Sequence, residues 1–476
     1  MILRIVAGLA VAAVAIAPAT GHQTPRFVDR TVALGLAPGN DQACWIDLDN
    51  DRWPDLVSSG GIWRNRDGRK FERIGDAGLS VAADFDNDGF PDLFGWSNLT
   101  LLRNVGGKRF EKFALPALPE TVSRGACWTD FDRDGWVDLV VGGYEDWDRG
   151  ITWPTLFLRN DHGKAFVLAR TDARFRARGI SACDYDRDGF PEIYQSNYRL
   201  QPNVLWKRGA DGKWTDTAGA VGALATSPGF DGGHSIGAAW GDFDEDGWID
   251  LFAGNFAHVD SRGDQPKSRF LRNVAGPGTS RTFEDKGTCG VFYQESYASP
   301  AAGDIDNDGK LDLFFTTVYG TASFGRPNFP VLFHNDGGFA FSDGTTAAGL
   351  GGLPPTYQAA FADFDRDGDL DLMSGGKLFV NAGRGGHWLA VRLRGDGVAV
   401  DRMAIGAQVR VTAGGRTWVR QVEAGTGEGN QNDTTLHFGL GDTTGPVDVR
   451  IEWPDGRVRT FAAIGVDRLL EAVAGR

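Results

Sequence analysis

Cysteine is scarce in this chain, with only Cys44, Cys127, Cys183 and Cys289 among 476 residues. That is too few for the disulfide framework of a small secreted scaffold. Cys44 and Cys127 hold the same place three residues before an acidic loop, and Cys183 stands one residue before another. They are expected as small buried apolar residues on inner strands. A single disulfide stays open, and the spacing pairs none. Basic clusters are lacking as well. Lys and Arg number 49 against 63 Asp and Glu, a net charge of -14, and with no basic cluster nothing points to nucleic acid. Beyond residue 21 no run is long and apolar enough for a membrane-spanning helix. No nucleophile elbow, phosphate loop or Cys-His pair at catalytic spacing stands out.

What is abundant is glycine, at 67 residues, alongside 41% hydrophobic and 11% aromatic content. Glycine at about twice its usual share with ample apolar residues describes a β protein with many tight turns. The length exceeds one ordinary core, so a repeat array or several domains is expected. At the start, Arg4 precedes the apolar run Ile5 to Ala17 and the small residues Pro18-Ala19-Thr20-Gly21. This is the pattern of a cleaved signal peptide over residues 1–21, an uncleaved anchor being the alternative. The mature chain is therefore expected to be secreted or periplasmic, with no transmembrane segment.

One motif repeats seven times. Asp242-Phe243-Asp244-Glu245-Asp246-Gly247-Trp248-Ile249-Asp250 places carboxylates at positions 1, 3, 5 and 9, with glycine at position 6. The other loops are Asp47, Asp49, Asp51 and Asp55; Asp84, Asp86, Asp88 and Asp92; Asp130, Asp132, Asp134 and Asp138; Asp184, Asp186, Asp188 and Glu192; Asp304, Asp306, Asp308 and Asp312; and Asp363, Asp365, Asp367 and Asp371. Acids so crowded repel one another unless a cation lies between them, and oxygen donors in this number suit calcium. Up to seven structural Ca2+ ions are expected, with the position 7 carbonyl as a further ligand. An EF-hand would need Glu at position 12 and flanking helices; position 12 here is Ser58, Gly95, Val141, Gln195, Ala253, Phe315 and Ser374. Two loops depart from the pattern. Arg52 replaces the glycine of the first, which predicts weaker binding, and Glu192 replaces the last Asp of the fourth, which is expected to be tolerated.

Around each loop the parts recur. An apolar strand enters it, a short strand leaves it, a third ends in Arg-Asn or a relative such as Leu205-Trp206-Lys207-Arg208, and a fourth starts at an aromatic. Four short strands per period of about 40 to 60 residues fit a β-propeller blade. The seventh repeat lacks a fourth strand, while Phe27-Val28-Asp29-Arg30-Thr31 supplies that pattern ahead of the first loop. The expected fold is all-β: a seven-bladed propeller over residues 22–383, closed by its N-terminal strand, then a small β-sandwich-like domain over 384–476. Tryptophans beside the loops, such as Trp45, Trp128 and Trp240 or Trp53, Trp136 and Trp248, are expected in blade packing.

These repeats resemble the FG-GAP/VCBS family, whose propellers carry this calcium loop. The C-terminal part resembles the ASPIC/UnbV domain through Asp401-Arg402-Met403-Ala404-Ile405-Gly406-Ala407, Leu436-His437-Phe438-Gly439-Leu440-Gly441 and Trp453-Pro454-Asp455-Gly456-Arg457. The pairing is similar to the cartilage acidic protein family, which implies secretion, calcium binding and an adhesion or matrix role. Function is expected on the face opposite the acidic loops, where the longer connections lie. There Arg124, Tyr144, Asp146, Tyr198, His234, His258, Tyr319 and Tyr357 are candidates for a pocket for a glycan or protein ligand. Loops that merely cover the ring would show the same residues. The leading reading is a binding and adhesion module. A carbohydrate lyase or dehydratase at the propeller mouth is the alternative, because fold alone does not exclude catalysis. Arg262-Gly263-Asp264 and Arg394-Gly395-Asp396 spell an integrin-binding tripeptide, which chance explains in a chain this rich in those residues.

Overall fold

The computed structural model describes residues 25–260, 263–278, 280–383 and 385–475. The expected signal sequence, Arg262 and the first residue of the expected C-terminal domain lie outside them. The only α-helix among the described residues is the single turn Ala218–Val221. The protein is all-β, as expected.

Seven four-stranded antiparallel sheets account for residues 27–381. In the first, Ala43–Ile46, Asp55–Ser58, Gly61–Arg66 and Lys70–Asp76 follow chain order from the axis outward. The last sheet takes Ala360–Ala362, Asp371–Ser374 and Lys377–Asn381 from the end of the ring and Phe27–Asp29 from its start, with Phe27 paired to Asn381. Each inner strand touches the inner strands on both sides, and Ala43–Ile46 touches Ser80–Ala83 and Ala360–Ala362, so the circuit closes. Closure leaves neither end of the ring as an open edge.

The inner strands are apolar and small, as in Ala82, Ala83, Ala126, Ala238 and Ala301, all buried. In four sheets the inner strand bulges near its start: between Ser123 and Ala126, Ala177 and Gly179, Ser235 and Gly237, and Tyr297 and Pro300. A bulge adds a residue and re-aims its side chain. Arg124, Arg178 and Ser299 are such added residues. All four cysteines are free thiols, three of them buried.

The asparagine that ends the third strand joins neighbouring sheets. Asn104 donates through Nδ2 to Pro91 O at 2.9 Å in its own loop and to Leu48 O at 2.8 Å in the preceding one, while its Oδ1 accepts from Gly107 N. Asn65, Asn160, Asn273 and Asn335 repeat both donations, and Asn381 repeats the one to the preceding sheet.

Residues beyond 386 form two more sheets. His387–Arg394 lies between Leu436–Gly441 and, in parallel, Arg468–Val473; Gln408–Ala413 pairs with Arg416–Gln421 and Val447–Glu452, and the last of these with Val458–Ile464. One apolar core runs from Val391, Val409, Phe438 and Ile451 into Phe85, Phe94 and Trp128 of the ring. The C-terminal part is therefore fused to the propeller by continuous packing.

Asn104→Ala should cost about 3 kcal/mol, because it removes three buried hydrogen bonds and leaves Leu48 O and Pro91 O unpaired. Denaturant titration of the purified protein checks this, with Arg208→Ala, at the corresponding place in the fourth sheet, expected to change stability by less than about 1 kcal/mol.

Candidate functional site

The acidic loops fold by hydrogen-bonding their own backbone. In Asp242–Asp250, Asp242 accepts from Asp246 N at 3.0 Å and Gly247 N at 3.1 Å, and Asp246 accepts from Trp248 N. Asp250 accepts from Phe243 N at 3.0 Å and from Asn273 N at 2.8 Å on the third strand. Position 4 is left-handed in every loop, and position 6 likewise, with φ +87° at Gly247. Arg52 adopts φ +77° at that place, a conformation that disfavours a side chain. Its guanidinium does not crowd its own loop; it pairs with Glu471 of the C-terminal sheets at 2.7 Å.

The remaining carboxylate oxygens converge. Asp47, Asp49 and Asp55 each bring one within 4.8 Å of the others, as do Asp84, Asp86 and Asp92; Asp130, Asp132 and Asp138; and Asp184, Asp186 and Glu192. Asp306 and Asp308 do so with His334, a partner the sequence did not suggest. Asp49 Oδ1, Asp132 Oδ1 and Asp365 Oδ1 are buried without a hydrogen-bond partner. An orphaned anionic oxygen set among the other carboxylates of its own loop is what a divalent cation would satisfy, so these clusters could hold a metal ion. Asp51, Asp88, Asp134, Asp188, Asp246 and Asp367, at position 5, complete the loops, as do Asp244, Asp304, Asp312, Asp363 and Asp371. Burial, and then repulsion from neighbouring carboxylates, pushes Asp84 up to about 8 and Asp130 to about 7.

Adjacent loops also clasp each other. Asn87 donates to Gly135 O at 3.2 Å and Asn307 to Gly368 O at 3.0 Å, from position 4 of one loop to position 6 of the next. Where position 4 is arginine it covers the next loop's position 7 ring: Arg366 over Trp53 at 4.8 Å and Arg187 over Trp248 at 3.5 Å. Trp45, Trp128 and Trp240 pack one blade against the next, in blade packing as expected, whereas Trp53 and Trp248 link loops.

The C-terminal sheets sit on this acidic face. Arg392 reaches Asp47 at 2.5 Å, Gly439 N donates to Asp304 at 3.0 Å, and Gln408 donates to Asp184 O at 2.8 Å. From there residues 424–433 run into the centre of the ring and touch all seven inner regions. Ala424 O accepts from Trp128 N, Gly427 N donates to Ala238 O, Gln431 exchanges bonds with Ala43 and Trp45, and Asp433 N donates to Phe361 O. Gln431 also bonds Ala82 through its side chain, and Glu428 N donates to Ser299 Oγ at 2.9 Å. A Cβ on Gly427 (φ +57°) would lie 2.1 Å from Ser299 Oγ, and one on Gly429 (φ +70°) 2.6 Å from the Trp96 ring. Where this segment enters, a cavity of about 200 Å³ is lined by Trp240, Trp388, Arg392, Arg420, Glu423 and Asp433. Burial pushes the Glu423 carboxyl up to about 8 and that of Asp433 to about 6.

The tip of the segment reaches the opposite face at Glu428. Arg178, buried, donates to Glu428 from Nε at 3.1 Å and Nη2 at 3.0 Å, and to Tyr357 Oη at 3.2 Å. Tyr144, Tyr198 and Tyr357 surround that guanidinium at 5.0 to 5.5 Å. Arg124 lies 3.9 Å from Glu428 and is 42% exposed. Rings continue outward from Tyr198 to His234 at 4.7 Å, from His234 to His258 at 5.4 Å, and from Phe256 to Tyr319 at 6.0 Å. His258 Nδ1 is 2.8 Å from Glu295, whose carboxylate also takes the Ser323 hydroxyl. Seven of the eight expected pocket residues thus share this face. Asp146 instead pairs with exposed Arg149, and its neighbour Glu145 turns inward to Arg176 and Arg199. Glu295 and Glu428 were missing from the expected face. The letters Gly-x-Ser-x-Gly at 233–237 run into the strand His234–Gly241 with Ser235 bonded to Asn255, which is no nucleophile elbow.

The profile of the family described as FG-GAP-like repeat matches residues 84–141, 130–195, 184–253 and 304–374, and that of ASPIC and UnbV matches 397–476. Cartilage acidic protein 1 of Mus musculus is 27% identical over 345 residues, 68% of this chain and 48% of that protein. The Homo sapiens protein of the same name is 26% identical over 350 residues, 70% and 48% respectively. The chain spans about half the length of the curated relatives it matches. Among solved structures, YCF48 bound to D1 peptide overlaps 76% of this chain and 96% of that one, at 12% identity and a TM-score of 0.43.

The raised carboxyls fix a sign. A carboxyl held above its unfolded value near 3.8 carries more protons folded than unfolded, so stability falls as pH rises through the gap, from about 4 to about 8. Chelator-treated protein should lose melting temperature steadily from pH 5 to pH 8, and saturating divalent cation should abolish the loss. Thermal scans across that range decide it; a flat profile in chelator would speak against the cages.

Proposed function

The chain belongs to the family of FG-GAP-like repeat proteins, and on that premise we propose that it is a secreted calcium-binding propeller acting as a binding and adhesion module. On this reading residues 1–21 are a cleaved export signal, 22–383 the propeller and 384–476 the ASPIC/UnbV-type domain. The mature protein then works outside the cytoplasm or in the periplasm. Calcium is favoured over softer metals because six of the seven cages offer only oxygen donors, up to four carboxylates each, without thiolate or imidazole. His334 stands beside the sixth loop, 3.0 Å from Asp306. The ions are structural: each offsets repulsion inside one turn and fixes the strands on either side.

The observation that carries the binding role is the division of faces. The C-terminal sheets occupy the acidic face, which leaves Arg124, Tyr144, Tyr198, His258 and 55%-exposed Tyr319 gathered on the other. Cation and aromatic surfaces at a shallow mouth suit an acidic glycan or an acidic protein segment. Arg178 serves this face indirectly, since Glu428 already occupies it. The enzyme alternative draws on His258, which Glu295 orients as a base beside a cationic neighbour would be in a lyase.

Removing calcium with EDTA is expected to lower the melting temperature by well over about 10 °C, since the ions bind only the folded state; no change would sink the structural role. On a glycan array with calcium present, binding to carboxylated or sulfated sugars should fall at least about tenfold in Arg124→Ala. Appearance of unsaturated products with uronate polymers, lost in His258→Ala, would replace the binding reading with the enzymatic one.

A further inference from the structure

We propose that the fourth acidic loop carries its own cation: the Lys207 ammonium stands where the other loops would take calcium, so this blade is held without metal. The inference rests on the calcium reading of the remaining loops.

Lys207 occupies the third-strand position filled elsewhere by Arg64, Arg103, Arg159, Arg272, His334 and Val380. Four of these, Arg64, Arg103, Arg272 and His334, are cations that reach the rim of their loops. Arg64 meets Asp49 at 3.1 Å, Arg272 meets Asp244 and Asp246 at 2.6 and 3.0 Å, and His334 meets Asp306 at 3.0 Å. These contacts stop at positions 3 and 5. Lys207 goes further in. Its Nζ lies 2.7 Å from Asp186, 2.7 Å from Asp188 and 2.6 Å from Glu192, at positions 3, 5 and 9. Three donors of one ammonium thereby meet three carboxylates. Calcium needs oxygens at about 2.3 to 2.6 Å around its own centre, and the ammonium already holds three of the four carboxylates that would surround it.

Two further departures fall in the same repeat. In the other loops the position 9 Asp spends both oxygens on backbone N–H groups, as Asp250 does with Phe243 and Asn273. Glu192 spends Oε1 on Lys207, while its Oε2 is buried without a hydrogen-bond partner. Its extra methylene carries the carboxylate toward the lysine. Arg208, next in sequence, replaces the asparagine whose side chain elsewhere staples the preceding sheet. Burial works against the charge on Lys207, yet Glu192, Asp186 and Asp188 outweigh it and hold the ammonium well above the usual lysine range. Lysine and glutamate thus depart from the pattern of the other loops at the two positions that meet in this one.

Native mass spectrometry of the full chain in calcium, with calorimetric titration, counts the bound ions. Lys207→Gln should bind one calcium more than the wild type. Asp186→Asn should leave the wild-type count unchanged, while Asp244→Asn, in the fifth loop, should lower it by one. An unchanged count in Lys207→Gln, or the loss of one ion in Asp186→Asn, overturns the proposal; the second comparison decides it even if Lys207→Gln does not fold. Absence of calcium from every protein overturns the calcium reading and this inference with it.

Discussion

Carboxylates confined to one tight turn repel each other, and the rest of the molecule is arranged to bear that repulsion. The loop spends its own N–H groups on Asp242 and Asp250, and the third strand adds Asn273 N. Local dipoles alone leave oxygens such as Asp49 Oδ1 and Asp132 Oδ1 buried and unanswered. Positive charge is what remains to be supplied, and the protein draws it from several sources. Arginines stand at the rims, Arg392 and Arg420 come from the C-terminal sheets, and Lys207 enters one loop outright. Because each loop joins the two innermost strands of its blade, this local balance of charge governs the whole ring.

The second organising element is the segment 424–433. Propeller inner strands converge on an axis that must be filled or hydrated. Here backbone and amide groups fill it, meeting the free edges of the inner strands with hydrogen bonds from Ala43 round to Phe361. Small residues on those strands, Gly179 and Gly237 among them, leave the room; a Cβ on Gly237 would lie 2.8 Å from Gly427. The segment also joins the two faces, since it leaves a domain seated on the acidic loops and ends at Arg178 among three tyrosines.

The architecture was legible because its signals are short-range and repeated. Asp-x-Asp-x-Asp-Gly, strand alternation and the stray strand at Phe27 depend on neighbours in sequence, and seven copies suppress chance. The gathering of Arg124, Tyr198, His258 and Tyr357 on one face followed from loop placement alone. Long-range partnerships left no such mark. Ala424-Gly425-Thr426-Gly427-Glu428-Gly429 has the composition of any flexible connection, and only the ring around it explains the glycines. Asp146 and Glu145 alternate on one short strand, and which of them faces inward depends on Arg176 and Arg199, far along the chain. Lys207 looked like a conservative stand-in for arginine, although a point charge on a flexible stem enters a cage that a planar guanidinium only borders.

The segment 424–433 enters and leaves the ring from the same side, with Thr426 and Asn430 bridged at its turn. It is a bolt pushed through a closed collar, not a thread passed through a needle. The ring, whose closing strand lies at its N-terminal end, can therefore complete itself before the bolt arrives, and no knot has to be tied. Withdrawal is another matter, because it must break the Arg178–Glu428 pair at the far end along with the bonds to the inner strands. The grip of the C-terminal domain on the propeller thus reaches the face farthest from where the two visibly meet, next to Arg124 and the tyrosines around Arg178.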